Sequence, residues 1–249
     1  MTTATQALLE ARDVEVRFGG LRALDRVSMH VPDASMVGLI GPNGAGKSTL
    51  LGVLSGMVRP NRGRVRFRDH NITAVAPHRR AALGMSRTFQ RLELWESMTV
   101  LENVRTAAEF AVRWQADLRP AAVAAEIVEQ LGLADVATTQ AASLPSGLGR
   151  VVEVARALAS RPRLVLLDEP SAGLDKTESE TLVSKLAEVV RAGTSILLVE
   201  HHVDMVLGSC SEVWVLDFGR LIAHGPPTEI RVNPAVQTAY LGTRHATAS

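Results

Sequence analysis

The sequence predicts an α/β fold with a mostly parallel core sheet, and two observations support this class. Short, continuous apolar runs occupy residues 36–40, 164–167 and 195–199. Runs of this kind are typical of central parallel strands that are covered on both faces. The first run leads directly into a glycine-rich segment, residues 41–49, and then into a helical pattern. Strand, glycine-rich turn and helix in this order begin a parallel α/β unit.

A small antiparallel sheet is expected near the N-terminus. Residues 13–18, 26–31 and 63–68 alternate between apolar and polar side chains, which predicts half-buried strands. The polar face of the last of these carries only arginines, and we interpret it as a solvent-facing side. Contact with lipid headgroups or with a partner protein is the alternative interpretation. The arginines are Arg62, Arg64, Arg66 and Arg68.

Helices are predicted in the middle and in the last third of the chain. Thr99 and Glu102 have the spacing of a capping box, and an Ala- and Glu-rich pattern continues to about Leu131. A further helix is expected over residues 150–159, where an Arg-Pro pair ends it. Another should follow a cap at Asp175. The middle of the chain is therefore expected to form an inserted helical lobe.

Composition and charge exclude several classes of protein. Of the 249 residues, 46% are hydrophobic, which is enough for a core buried on both sheet faces and argues against disorder. The formal net charge of +1 lacks the basic excess of a nucleic-acid-binding protein. The lone cysteine, Cys210, cannot form an internal disulfide. No apolar stretch reaches the roughly 18 residues of a membrane span, and residues 1–13 lack a basic leader, so a cytoplasmic protein is expected.

The glycine-rich segment matches the phosphate-binding pattern G-x-x-x-x-G-K-[ST] in full. Glycines let backbone N–H groups approach phosphate oxygens, and the helix that follows adds its positive N-terminal end. We expect Lys47 to reach the terminal phosphates and the Ser48 hydroxyl to ligate Mg²⁺. The segment therefore predicts binding of a nucleoside triphosphate. Its residues are Gly41, Pro42, Asn43, Gly44, Ala45, Gly46, Lys47, Ser48 and Thr49.

Two acidic residues, Asp168 and Glu169, follow the second apolar run. The carboxylate at the end of such a strand lies beside the phosphate-binding loop, so Asp168 is expected to hold Mg²⁺. Glu169 is placed to accept a proton from an attacking water, and a helix-capping role for the pair is the alternative. Asp168 lies 121 residues after Lys47, whereas a simple β-α-β crossover needs about 30 residues. The helical lobe is therefore inserted between two halves of one site.

In this combination the sequence resembles the ATP-binding subunits of ABC transporters, and the resemblance covers essentially the whole chain. It assigns adenine stacking to Phe18. It assigns to Gln90, in the Q-loop, a link from Mg²⁺ and water to the transmembrane partner. Residues 171–175, which end at Asp175, match the D-loop, and His201 matches the switch histidine that contacts the γ-phosphate. The resemblance implies ATP and Mg²⁺ as cofactors and hydrolysis of ATP.

The resemblance also implies the domain organisation of a P-loop NTPase ABC cassette. Residues 1–249 would form a single ABC ATPase domain. Its core and an N-terminal antiparallel β subdomain would take about residues 7–90 and 160–249. The inserted α-helical subdomain would take about residues 91–159.

The family signature Leu-Ser-Gly-Gly-Gln is altered here to LPSGL, residues 144–148. From the residues alone, this is a glycine-containing loop that opens onto a helix and so offers a second anion site. A two-fold arrangement of chains would use both this site and the phosphate-binding loop. In the family, each signature closes over the partner's nucleotide, which assigns Ser146 and Gly147 to ATP binding. Pro145 and Leu148 replace the usual serine and glutamine, so the role of the Ser146 hydroxyl stays open.

A cluster of acidic residues and histidines follows the third apolar run. It lacks the H-E-x-x-H spacing of a helical zinc site, and adjacent residues that leave a strand point apart, so we predict no structural zinc there. The family usually has Asp at the position of His202. The cluster consists of Glu200, His201, His202 and Asp204.

Residues 84–104, the LPSGL segment and residues 215–242 resemble the larger ATPase subunit of importers for branched-chain amino acids or related amides and urea. This subgroup implies transmembrane permease subunits as partners. It also implies a second ATPase subunit, with a homodimer as the alternative, and indirectly a periplasmic binding protein. Nucleic acid is not an expected partner. The chain would lie in the cytoplasm, held at the inner face of the membrane by the permease.

The residues favour this function over three others. The ATPase of the lipopolysaccharide exporter shares the LIAHG and PTEI segments and a terminal YLG, but it typically keeps an unmodified signature. A non-transport ABC ATPase usually has two cassettes or a long coiled-coil insertion, and this chain has one P-loop and no sustained heptads. The 121-residue separation and the position of Glu169 argue against a P-loop GTPase or kinase.

Overall fold

The computed structural model of the chain describes residues 7–246, and side chains as far as Tyr240. The expectation about a leader therefore falls partly on residues 1–6, which lie outside the described residues.

The strands are β1 (Ala7–Phe18), β2 (Leu21–Pro32), β3 (Met36–Ile40), β4 (Arg62–Phe67), β5 (His70–Asn71), β6 (Met85–Arg87), β7 (Leu164–Asp168), β8 (Ser195–Val199), β9 (Glu212–Asp217) and β10 (Arg220–Gly225). The helices are α1 (Lys47–Ser55), α2 (Pro77–Ala82), α3 (Val100–Ala111), α4 (Pro120–Gln130), α5 (Ser146–Leu158), α6 (Lys176–Arg191), α7 (Val203–Ser209), α8 (Pro227–Val232) and α9 (Pro234–Ala246).

The strands form two sheets of different kinds. A four-stranded antiparallel sheet has the order β2-β1-β4-β5. A six-stranded sheet has the order β10-β9-β3-β8-β7-β6, and only β10 runs antiparallel to its neighbour. The expected α/β class with a mostly parallel core sheet and an N-terminal antiparallel sheet is confirmed.

The hydrophobic pattern decides which face of each strand is buried. All residues of β3, β7 and β8 are buried, as predicted for runs covered on both faces. In β4, Val65 and Phe67 are buried, whereas Arg62 and Arg64 face solvent. The arginine stripe is therefore the solvated side of a half-buried strand.

The middle of the chain is helical, with two departures from the predicted elements. Thr99 and Glu102 form the capping box at the start of α3. The Ala- and Glu-rich region does not continue as one helix to Leu131, because α3 ends at Ala111 and Pro120 begins α4. Proline fixes φ and lacks an N–H, so it suits the first turn of a new helix.

The second departure concerns the start of α5. This helix begins at Ser146 and not at Arg150, so residues 146–149 form its first turn and are not a loop. Pro145 is the N-terminal flanking residue, with φ −53° and ψ 145°. Proline at this point costs no hydrogen bond, because the first N–H groups of a helix have no intrahelical partner. The altered signature is thus the helix N-terminus itself.

The end of α1, the helix that follows the phosphate-binding loop, is closed by a buried arginine. The guanidinium of Arg80 donates hydrogen bonds to the carbonyl oxygens of Val53 and Leu54 at 2.9 and 2.7 Å and to that of Ile72 at 2.6 Å. Burial lowers the pKa of Arg80 to about 10, which leaves it charged at neutral pH. The terminal carbonyls of α1 are therefore satisfied by a cation, which also complements the helix dipole.

The two sheets are joined at their edge strands β2 and β10. Asp25 of β2 accepts hydrogen bonds from Arg220 of β10, with Nη2 2.7 Å from Oδ2, and from Arg22. The hydrogen bonds from Arg220, followed by those from Arg22, hold the pKa of Asp25 below its ordinary value.

Among residues 7–246, no helix is both long and apolar enough to cross a membrane.

Candidate functional site: a nucleotide-binding cavity

The phosphate-binding loop joins β3 to α1 in a conformation that only glycine allows. Gly41 has φ +156°, and a Cβ there would lie 2.1 Å from the carbonyl oxygen of Leu216. Gly46 has φ +105° and directly precedes the first residue of α1. The backbone therefore turns sharply and aims the N-terminal end of α1 at the loop.

Lys47, the first residue of α1, is buried under this loop. Its ammonium donates hydrogen bonds to the carbonyl oxygens of Gly41 at 2.7 Å and Pro42 at 3.0 Å. Burial lowers the pKa of Lys47, and the charges of Glu169 and Asp168 oppose that shift. The cation is thus held beside the space enclosed by the loop, in reach of a phosphate.

A cavity of about 780 Å³ opens in front of the loop. It brings together residues that are distant in sequence, from the N-terminal sheet, the loop and the ends of β6, β7 and β8. Phe218 lines this cavity together with Phe18, and no sequence pattern predicted its place there. The lining residues are Phe18, Leu21, Arg22, Ala23, Asn43, Gly44, Ala45, Gly46, Lys47, Ser48, Thr49, Gln90, Glu169, His201, Phe218 and Gly219.

Asp168, at the end of β7, is buried next to this cavity. Its Oδ2 lies 3.1 Å from Nη2 of Arg87, whereas its buried Oδ1 has no hydrogen-bond partner among the residues that the structure describes. Burial raises the pKa of Asp168 above the ordinary value, and the charge of Arg87 opposes that shift. A buried carboxylate oxygen without a partner is costly unless a cation or water binds it. This oxygen is suited to a Mg²⁺ coordination shell.

Glu169, His201 and Gln90 meet at the back of the cavity. Nε2 of His201 lies 2.6 Å from Oε1 of Glu169. The amide of Gln90 donates to the same Oε1 at 3.4 Å and to the Ser48 hydroxyl at 3.3 Å. Glu169 has φ +53°, a left-handed conformation that costs energy for a residue with a Cβ. That backbone turns its carboxylate out of the sheet and towards His201 and Gln90.

Glu200 belongs by sequence to the cluster for which no zinc site is predicted. In the structure its side chain contacts Ser171. Its Oε1 accepts hydrogen bonds from the backbone N–H and the hydroxyl of Ser171, at 3.0 and 2.7 Å. Glu200 and Ser171 are both buried. The residue before His201 is therefore tied to the first residue of the segment 171–175.

Side chains of α5 hold the backbone of the segment around Gln90. Arg150 donates to the carbonyl oxygens of Phe89, at 2.7 Å, and of Gln90. Glu153 accepts from the N–H of Glu93 at 2.9 Å and pairs with Arg150 at 2.8 Å. We call Arg150 and Glu153 the α5 clasp. The sequence contained no spacing signal for it, because the two segments are about 60 residues apart.

Five predicted nucleotide-binding residues do not line the cavity: Gly41 and Pro42 in the loop, and Ser146, Gly147 and Asp175 on other elements. Ser146 and Gly147 are in the first turn of α5, and Gly147 packs against Gly173, whose carbonyl oxygen would lie 2.6 Å from a Cβ at that position. Asp175 caps α6 through Glu178 and lines another cavity, with His202. The described chain thus has a cavity lined by the phosphate-binding loop and, separately, a helix that begins at the exposed Ser146.

Comparison with known protein families agrees with this geometry. A family model described as ABC transporter matches residues 24–172. A second, described as branched-chain amino acid ATP-binding cassette transporter, matches residues 220–246. The chain belongs to the ATP-binding cassette family of ABC transporters, and it is an ATPase that binds adenine nucleotide.

Named relatives match over nearly their whole length. The high-affinity branched-chain amino acid transport ATP-binding protein LivG of Salmonella typhimurium is 36% identical, over 96% of this chain and 99% of its own. A probable branched-chain amino acid transport ATP-binding protein LivG of Archaeoglobus fulgidus is 35% identical, over 95% and 96%. The lipopolysaccharide export system ATP-binding protein LptB of Acidithiobacillus ferridurans is 33% identical, over 94% and 97%.

Solved structures of ATP-binding cassettes have the same fold. An ATP-binding cassette of an ABC transporter in its ADP conformation has a TM-score of 0.85 and 30% identity, covering 96% of this chain and all of the other. A nucleotide-free cassette from an ABC transporter has a TM-score of 0.84 and 30% identity, covering 94% and 98%.

Proposed function

We propose that this chain is the motor subunit of an importer for branched-chain amino acids or related small amides. The match of residues 220–246 to the branched-chain family model carries the proposal, because the ATPase core alone is shared by all ABC transporters. The relatives named LivG, from a bacterium and an archaeon, support the same substrate class.

Each cavity residue has a proposed part in holding the nucleotide. Phe18 is about half exposed and offers its ring to the adenine base. Backbone N–H groups of residues 41–49 and the Lys47 ammonium hold the phosphates. The Ser48 hydroxyl, the partnerless Oδ1 of Asp168 and the Gln90 amide oxygen would hold Mg²⁺. When bound, Mg²⁺ neutralises phosphate charge.

Hydrolysis is proposed to use the contact between Glu169 and His201. The Glu169 carboxylate accepts a proton from the attacking water as the water oxygen bonds to the γ-phosphorus and the bond from that phosphorus to the bridging oxygen breaks, which leaves ADP and inorganic phosphate. The carboxylate of Glu169 lies 2.6 Å from His201 and holds its ring in place. His201 would then contact the γ-phosphate. Gln90 positions the water through its contacts with Ser48 and Glu169.

The helix start at Ser146 and Gly147 is proposed to complete the site of another subunit. These residues and Asp175 line no part of the chain's own cavity, so a second ATPase subunit in a two-fold arrangement would bring its own signature and D-loop to this nucleotide. We propose a distinct second subunit, with a homodimer as the alternative.

A groove of about 320 Å³ beside the Q-loop supports contact with the permease. It lies next to the α5 clasp and exposes Phe89 and Trp114 at 38% and 37% of their surface, with Met57 at 59%. Exposed aromatic and methionine side chains are typical of the centre of a protein interface. A cytoplasmic helix of the permease would dock here and hold the chain at the inner face of the cell membrane.

Transport itself tests the proposed function. The chain would be purified with the permeases and second ATPase encoded beside it and placed in liposomes that contain ATP. We expect ATP-dependent uptake of radiolabelled leucine when the cognate binding protein is supplied, and no uptake with Lys47→Ala. ATP hydrolysis without uptake of any branched-chain amino acid, amide or urea would refute the substrate class. Extraction of lipopolysaccharide would favour the LptB-like alternative.

A further inference from the structure

A set of metal-ligating side chains lies on β2 and β10, the edge strands that join the two sheets, and on the neighbouring strand β9, outside the nucleotide cavity. His30 is on β2, Glu212 is the first residue of β9, and His224 is on β10. Of the described residues, these three alone form a group that offers at least three ligand atoms within 4.8 Å of one another. We call them the His₂Glu cluster.

The two imidazoles converge on one carboxylate oxygen. Nε2 of His30 lies 3.4 Å from Oε2 of Glu212, and Nε2 of His224 lies 3.3 Å from the same oxygen. Zinc bonds of 2.0–2.2 Å to nitrogen and oxygen imply a distance of about 3.3–3.5 Å between neighbouring ligands of a tetrahedron. Two of the three distances between the ligand atoms therefore already have the length that a bound zinc ion imposes.

The framework that holds these side chains is built from strands. The ring of His224 stacks on Trp214 with centroids 3.5 Å apart and an interplanar angle of 16°. His30 contacts the edges of both rings, at 5.3 Å from Trp214 and 5.6 Å from His224. The third separation, between the ligand nitrogens of His30 and His224, is within 4.8 Å, and each of the three side chains is about one-third exposed.

We propose that the His₂Glu cluster binds a divalent transition-metal ion, with zinc as the best match. Two imidazoles and one carboxylate are a donor set that suits zinc, copper and nickel, and the exposed side of the cluster leaves the fourth position to water. The ion would cross-link β2 to β9 and β10, and the ion pair between Asp25 and Arg220 joins β2 and β10 several residues away. It would thereby fix the antiparallel sheet on the core sheet.

Cobalt and zinc titrations of the nucleotide-free full chain test this. We expect Co²⁺ to give the visible absorption bands of a four-coordinate ion with one equivalent bound, and Zn²⁺ to displace it. Zinc at about 100 times its Kd should raise the Tm by at least about 5 °C. The fluorescence of Trp214 should be quenched by Co²⁺, because the tryptophan stacks on a ligand ring, and Trp214→Phe should remove that part of the quenching.

Variants locate the ion. His30→Gln and His224→Gln should each weaken zinc binding at least about tenfold, with nucleotide binding as the check that they are folded. His78→Gln, an exposed histidine outside the cluster, should bind zinc like the unaltered chain. His201→Ala should also keep the cobalt bands, and their loss there would place the ion in the nucleotide cavity and overturn the proposal. Absence of any zinc binding tighter than about 100 μM would overturn it too and leave Glu212 as a hydrogen-bond acceptor for two imidazoles.

Discussion

Nε2 of His201 lies 2.6 Å from Oε1 of Glu169, so the residue that follows β7 and the segment that follows β8 meet across neighbouring parallel strands. The proposed base and the proposed phosphate-contacting histidine are therefore in direct contact. Substitutions at the two positions should both stop hydrolysis and leave nucleotide binding largely intact.

Glu169→Gln should bind ATP within about threefold of the unaltered chain but release phosphate at least about 100-fold more slowly. The amide keeps the shape of the side chain and cannot accept a proton from water. Phosphate release and equilibrium ATP binding measure the two effects. Glu180→Gln, at an exposed position of α6, is the matched control, and near-normal turnover in Glu169→Gln would refute the base assignment.

His201→Ala should lower phosphate release by about 100-fold when the partner subunits are present, because the carboxylate of Glu169 loses its 2.6 Å contact and the γ-phosphate loses its proposed donor. The neighbouring His202→Ala is an informative control, since His202 is exposed and lines a different cavity. An equal loss in both variants would show that His201 has no special part.

Arg87→Met should destabilise the chain by about 3 kcal/mol, because the buried Asp168 carboxylate loses its ion-pair partner at 3.1 Å. It should also raise the pKa of Asp168 further. Mg²⁺ requires the ionised carboxylate, so its affinity falls as the pH falls through that pKa. The pH of half-maximal Mg²⁺ affinity should therefore be higher in Arg87→Met than in the unaltered chain. Equal pH profiles would contradict the role of Arg87, and urea unfolding measures the stability.

Arg150→Met removes half of the α5 clasp and frees the backbone at Phe89 and Gln90. We expect permease-stimulated hydrolysis to fall at least about tenfold, because two charged hydrogen bonds are lost and about 1.4 kcal/mol already corresponds to tenfold. ATP affinity should change less than threefold. Arg105→Met, which breaks only an exposed pair with Glu109 on α3, is the control. Unchanged stimulation in Arg150→Met would mean that the clasp does not transmit motion.

Arg80→Met should lower the free energy of unfolding by about 3 kcal/mol, since the carbonyl oxygens at the end of α1 would be buried without donors. Arg79→Met, next to it and exposed, should change stability by less than about 0.5 kcal/mol. Thermal and urea unfolding compare the two variants. Equal stability would show that water replaces the guanidinium at this helix end.

A feature can be predicted from the sequence when the residues that determine it are close together in the chain. Local patterns predicted the buried strands β3, β7 and β8, the phosphate-binding loop and the caps at Thr99 and Asp175, because neighbouring residues determine them. The start of α5 was predicted four residues late, because Pro145 and the glycines that follow are poor indicators of a helix interior. The pattern also continued α3 through the break before Pro120.

Side-chain contacts between distant segments gave no signal. Arg87 faces Asp168 because β6 and β7 are neighbours in the sheet, an order that no local pattern encodes. Glu200 was grouped with two histidines by sequence proximity, whereas its partner is Ser171. His30 and His224 lie nearly 200 residues apart, so the His₂Glu cluster becomes visible only when the two sheets are brought together.

The exposed helix start at Ser146 has a consequence for kinetics. A chain that would supply its phosphate-binding loop to one nucleotide and the start of α5 to another would not hydrolyse ATP at a rate simply proportional to its amount. In the proposed arrangement, ATP is shared between two subunits, so turnover of dilute subunits rises with the square of their concentration. A permease that binds two ATPase subunits holds them close together, so turnover no longer depends on the square of their concentration. The nucleotide would then be part of the interface between the two subunits.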